Sequence, residues 1–104
     1  SYVLVNLTSL NLFYNRIGNE GMKYLAVSDN LLSLQNLVIT DNEITDEGAI
    51  VLAKFLPLFT NLVRLDLRLN RIKEEGKDAL REAQKMSNVK HLLLDKVEGF
   101  QVKN

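Results

Sequence analysis

Two arginines flank an aspartate at Arg64, Asp66 and Arg68, and two aromatic residues adjoin at Phe13 and Tyr14. Planar cations beside broad aromatic rings have the make-up of anchors in protein–protein interfaces. His91 is the single histidine. No serine is poised near it, so hydrolysis or acyl transfer through a triad has no support, and His91 reads as a surface residue beside Arg64. The acidic run Asp41 to Gly48 superficially has the look of a calcium loop. It fails at the sixth position, where the glycine such a loop needs is Asp46. Asn6-Leu7-Thr8 is a formal N-glycosylation sequon, but asparagine recurs at this position along the chain, which makes a structural role the better reading. There is no glycine-rich phosphate loop. The chain has no cysteine, which rules out disulfides, zinc–thiolate sites and cysteine nucleophiles and leans towards a reducing, cytoplasmic compartment. No metal or cofactor is expected.

What positions these residues is a repeat. Leu62-Val-Arg-Leu65-Asp-Leu67-Arg-Leu-Asn70-Arg-Ile72 recurs upstream from Leu34 to Ile44 and from Leu7 to Ile17, and a fading copy begins at Val89. The inner leucines Leu10, Leu37, Leu65 and Leu92 are spaced 27, 28 and 27 residues apart. In the same register run an asparagine column (Asn15, Asn42, Asn70), an isoleucine column (Ile17, Ile44, Ile72), a glycine column (Gly21, Gly48, Gly76) and a leucine column (Leu25, Leu52, Leu80). A further apolar column reads Leu4, Leu31, Phe59 and Met86. The chain divides into the tail of a preceding unit (1–6), three full units (7–33, 34–61, 62–88) and a decayed last unit (89–104), all in one domain.

Each unit opens with alternation of apolar and variable residues, the period of a half-buried strand, then switches to helical spacing. In the second unit positions 48, 49, 52, 53 and 56 share one helical face, Thr45 is placed to cap the helix, and Pro57 blocks it beyond Leu56. The third helix, starting near Glu74, carries Glu74/Lys77, Asp78/Arg81 and Glu82/Lys85 as a solvated ion-pair face. One helix between consecutive strands predicts a parallel sheet with right-handed crossovers. The asparagines are expected to face inward and bond loop backbone of their own and the adjacent unit in a ladder. At the glycine column a side chain would hold helix and strand loop apart.

The pattern LxxLxLxxNxI, then Gly and Leu, at 27 to 28 residues resembles the leucine-rich repeat, in its ribonuclease-inhibitor-like subclass with a full helix per unit. The resemblance covers nearly the whole chain. It implies an α/β solenoid, a right-handed superhelix with the parallel sheet on its concave face and helices on its convex face, that acts as a non-enzymatic protein-binding module. Family precedent also admits a GTPase-activating regulator, which Glu47-Gly48-Ala49 with Leu52-Ala53 locally resembles, or a secreted bacterial or parasite effector fragment.

Between the scaffold positions, the residues expected to point outward from the concave sheet include Phe13, Val38, Thr40, Arg64, Asp66, Arg68, His91 and Asp95, with Tyr14 at the rim. These form the expected partner-binding surface. The alternative is an ordinary solvated sheet in which an Arg68–Asp95 pair stabilises the end of the array. Net charge is zero, 13 basic against 13 acidic residues, which argues against nucleic acid. No apolar run reaches the roughly 20 residues of a membrane span. Val97 and Gly99 break the repeat, and Phe100 and Val102 are expected to fold over the last strand near a natural end of the array. An open N-terminal edge offers an alternative role, assembly as a homodimer.

Overall fold

The structure, a computed structural model, describes residues 7–96. Four short strands, β1 (Ser9–Asn11), β2 (Asn36–Val38), β3 (Arg64–Asp66) and β4 (His91–Leu93), form one parallel sheet in chain order. Helices α1 (Gly18–Ala26), α2 (Asp46–Phe55) and α3 (Glu74–Gln84) alternate with them as a second layer, α1 against α2 and α2 against α3. This is the leucine-rich-repeat α/β solenoid. The register is that of the columns: Leu10 pairs with Leu37, Leu37 with Leu65, and Leu65 with Leu92.

The apolar columns meet between the layers, and their burial is graded along the array. Leu37 and Leu65, each with a described unit on both sides, are fully buried, whereas Leu10 and Leu92, each with a described unit on one side, are only partly so. Ile44, Leu52 and Leu80 are likewise closed off from solvent. In a solenoid each unit is covered only by its neighbours, so burial follows how many described units adjoin a side chain. Met86 departs from its column: Leu31 and Phe59 are buried, but Met86 is 75% exposed. It follows the end of α3, and no further helix stands beside it among the described residues. Leu4, Asn6, Val97, Gly99, Phe100 and Val102 lie outside the described residues.

Helix α2 stops at Phe55, short of Pro57, which sits within a 3-10 turn over Leu56–Leu58 before β3. Two local expectations are corrected. Thr45 occupies the cap position of α2 but makes no capping bond; its hydroxyl accepts from the Asn19 amide at 2.8 Å. On α3, Asp78–Arg81 and Glu82–Lys85 pair at 3.3 and 3.1 Å, but Lys77 does not reach for Glu74. It stands in the column of Met22 and Ala49, is 5% exposed, and turns inward to donate to the Asp95 carbonyl at 2.8 Å. The inner face of the helix wins because it buries the stem while the ammonium finds an acceptor.

Candidate functional site on the sheet face

The backbone under the sheet face is held by polar side chains at the repeat spacing. The Asn42 side-chain oxygen accepts from the N–H groups of Asn15 and Ile17 at 2.9 and 3.1 Å, and its amide donates to the carbonyls of Leu12 and Thr40. Asn70 repeats this one unit on, accepting from Asn42 and Ile44 and donating to Ile39 and Leu67. Asn15, exposed in the first described unit, donates to the Phe13 carbonyl. A second set spans the entry to the strands: Ser33 donates to the Leu7 carbonyl, Asn61 to Leu32 and Asn88 to Thr60.

A third set, which the repeat columns did not reveal, caps the helices from the preceding unit. The Asn19 oxygen accepts from the N–H groups of Thr45 and Gly48, both at 3.0 Å, at the start of α2. Asp46, 27 residues on, accepts from Lys73 at 2.7 Å at the start of α3. The neighbouring helix thus satisfies donors that a local N-cap would otherwise take. It also explains two members of the glycine column, Gly48 and Gly76, whereas Gly21 answers to Ile17 of its own unit. A Cβ on Gly48 would run into the Asn19 oxygen, one on Gly76 would lie 2.6 Å from the Asp46 oxygen, and one on Gly21 would lie 2.6 Å from Ile17 Cβ. The signal was present as polar residues spaced 27 apart in the first helical turn.

On this frame the outward residues form rows across the strands. Ser9, Asn36, Arg64 and His91 are direct partners in one row, and Asn11, Val38, Asp66 and Leu93 in the next. Phe13, Thr40, Arg68 and Asp95 follow just past the strands. Arg64 lies beside Asn36, donating to its side-chain oxygen at 3.3 Å. Where the strands end the chain turns through left-handed conformations, at Tyr14 (φ 55°), Asp41 (58°) and Leu69 (63°), with a second such residue at Arg16 and Glu43. Each costs about 1–2 kcal/mol for a residue other than glycine. The turn presents Tyr14, 54% exposed, beside Phe13, 56% exposed, with ring centroids 6.3 Å apart. The Arg16 guanidinium lies 5.5 Å over the Tyr14 ring and donates to its hydroxyl at 3.1 Å.

Asp66 is placed differently from its neighbours. Its side chain lies under two guanidiniums and is nearly closed to solvent. Arg68 grips it with two bonds of 2.9 and 2.7 Å and a backbone N–H at 3.2 Å, while Arg64 stands 3.6 Å away. Burial pushes the Asp66 carboxyl up, but the Arg68 hydrogen bonds and charge, with the Arg64 charge, outweigh it and hold its pKa below the ordinary carboxylate value. The Arg68–Asp95 pair of the solvated-sheet alternative does not form. Arg68 takes Asp66 instead, and both Asp95 oxygens accept from the Leu69 N–H at 2.9 Å. Thr40 is 9% exposed, Val38 and Asp95 are partly exposed, and His91 is exposed with no side-chain hydrogen bond to orient it among the described residues. Nor do the described residues gather a cluster of metal-ligating side chains. No described helix is long and apolar enough to cross a membrane.

A parallel sheet backed by helices and stitched by polar side chains every 27 or 28 residues defines a repeat solenoid with one exposed sheet face. The family model described as Leucine Rich repeat matches residues 3–26, 30–53 and 60–80, and the chain belongs to that family. It is similar to NACHT, LRR and PYD domains-containing protein 2 of Homo sapiens, at 40% identity over 79 residues, which is 74% of this chain and 7% of that protein. The chain therefore spans a small fraction of that relative's length. Family membership and this likeness support a protein–protein interaction module.

Proposed function

We propose that the chain binds a protein partner across the sheet face, without catalysis, through Phe13, Tyr14, Val38, Arg64, Arg68, His91 and Asp95, with Thr40 and Asp66 buried beneath that surface rather than touching the partner. The observation that carries this reading is the exposure of Phe13 and Tyr14 on a backbone locked by the asparagine bonds. Two aromatic rings more than half open to water gain by burial against a partner, and a fixed backbone loses little entropy when they are covered. Arg68 contributes mainly by holding Asp66, so the anchors are Phe13, Tyr14 and Arg64. The 27- to 28-residue unit with a helix in each supports the ribonuclease-inhibitor-like subclass. The absence of cysteine supports a cytoplasmic location.

The test is capture of partners by the wild type against Phe13→Ala/Arg64→Ala, with thermal melts to show that both are folded. Arg68 is left in place because its loss would strand the Asp66 carboxylate. Partners lost only from the variant support the sheet face; capture that is indifferent to both changes refutes it. Strand β1 pairs on one side only among the described residues, which favours self-association through that edge as a second reading. Light scattering that reports a monomer at all concentrations removes it.

A further inference from the structure

Ahead of the outward row that holds Arg64 runs another, formed by Thr8, Gln35, Val63 and Lys90. Consecutive bonds tie it together: Gln35 N–H to the Thr8 carbonyl at 2.7 Å, Val63 to Gln35 at 2.9 Å and Lys90 to Val63 at 2.8 Å. All four residues are exposed. Together with Ser9, Asn36, Arg64 and His91, this row makes a strip across the N-terminal ends of the strands. The strip contains Arg64, Lys90 and His91 and no carboxylate. The carboxylates of the sheet lie deeper, where Asp66 is covered by Arg64 and Arg68 and Asp95 is bonded to Leu69. One buried carboxylate between two guanidiniums leaves a positive charge over, and Arg64 keeps more than a third of its side chain open. Neither Lys90 nor His91 has a side-chain partner among the described residues.

We propose that this strip receives an acidic peptide segment of the protein partner. The proposal rests on the sheet-face reading and assigns its charge chemistry. Arg64 and His91 stand on adjacent strands, about 5 Å apart, and an extended peptide repeats its side chains on one face about every 7 Å. Two successive same-face carboxylates therefore reach Arg64 and the Lys90–His91 pair, while the exposed side-chain amide of Gln35 faces the peptide backbone and that of Asn36 stays bonded to Ser9 and Arg64. A guanidinium accepts a carboxylate in a two-bond fork, and such contacts are stronger than neutral ones. Nucleic acid fits less well. The whole chain has no net charge, and the two rings that could stack on bases are on the far side of the sheet from Lys90.

The experiment titrates hexaglutamate into the isotope-labelled full chain and follows amide resonances. The expected result is movement at Gln35, Arg64, Lys90 and His91, none of it with hexalysine, and strengthening as salt is lowered. Arg64→Ala/Lys90→Ala should weaken binding by about fivefold or more, and Lys54→Ala/Lys85→Ala on the helices should leave it unchanged. Movement confined to the helical lysines, no movement at all, or tighter binding of a single-stranded oligonucleotide at the same residues overturns the proposal. If hexaglutamate misses the strip while partner capture still depends on Phe13, this proposal fails alone. If hexaglutamate binds the strip but capture ignores Phe13 and Arg64, the strip's affinity for an acidic peptide stands, while its occupation by the partner falls with the sheet-face reading.

Discussion

Asn42 is fully buried, and its side chain serves the backbone groups of Asn15, Ile17, Leu12 and Thr40. Replacing it with alanine orphans two N–H groups and two carbonyls, and the expected loss of stability is roughly 2–4 kcal/mol, read by urea unfolding. Asn15→Ala, which removes an exposed bond to Phe13, should fall below about 1 kcal/mol in the same assay. Asp66 is tested by pH. Its folded pKa is lowered, so its contribution is complete above the unfolded value of about 3.9 and is lost as pH falls through the folded one. The melting-temperature advantage of the wild type over Asp66→Asn should therefore be constant near neutrality and shrink below about pH 4; a pH-independent difference would count against the clamp. Both residues were visible in the sequence, but unequally. Spacing alone put Asn42 at a turn facing inward. Alternation put Arg64, Asp66 and Arg68 on one face, yet it carries no information on long side chains folding back over a short one, which is why Asp66 read as exposed and Arg68 as a neighbour of Asp95.

The strands and helices were legible because burial imposes two different periods on a single unit, and three copies made the switch between them unmistakable. What the periods could not convey is where one unit reaches into the next. Helix α2 has no capping bond from Thr45 because Asn19 of α1 supplies one, and the glycine at position 48 is the space that Asn19 needs. Glycine to alanine in a helix ordinarily gains up to about 1 kcal/mol from propensity. Here Gly48→Ala should destabilise instead, since the new methyl displaces the Asn19 oxygen and crowds Ile44 Cγ2 at 3.0 Å. A double-mutant cycle separates the two causes. The cost of Gly48→Ala should fall in an Asn19→Ala background if displacement of the cap dominates, with a coupling of about 1 kcal/mol. Additive costs would assign the column to contact with Ile44 alone. The same reaching across explains Lys77, whose helical position predicted a surface pair with Glu74 but whose column belongs to the core.

For the whole molecule, the sheet, the helices and the polar sets all join each unit to the next, so stability is expected to follow position in the array more than residue type. Leu65 and Leu10 are the same side chain at the same repeat position, differing in that β3 has a strand on both sides while β1 has one on a single side among the described residues. Leu65→Ala should cost about 3–5 kcal/mol, because the cavity is walled by two neighbouring units that cannot both collapse onto it. Leu10→Ala should cost about 1–2 kcal/mol, because its burial is only partial and its unit, with one described neighbour, can shift to close the gap. Hydrogen exchange then distinguishes an array that unfolds as one block from one that frays. With fraying, Leu10→Ala speeds exchange in β1 and α1 and leaves the amides of β3 unchanged, whereas a single cooperative block would raise exchange everywhere by the same factor. The distinction bears on binding, since Phe13 and Tyr14 belong to the first described unit and Arg64 to one with described units on both sides. If the first unit frays independently, a partner that spans both must hold the first unit closed, and the Leu10→Ala variant should lose affinity in proportion to the fraction of time that unit is open.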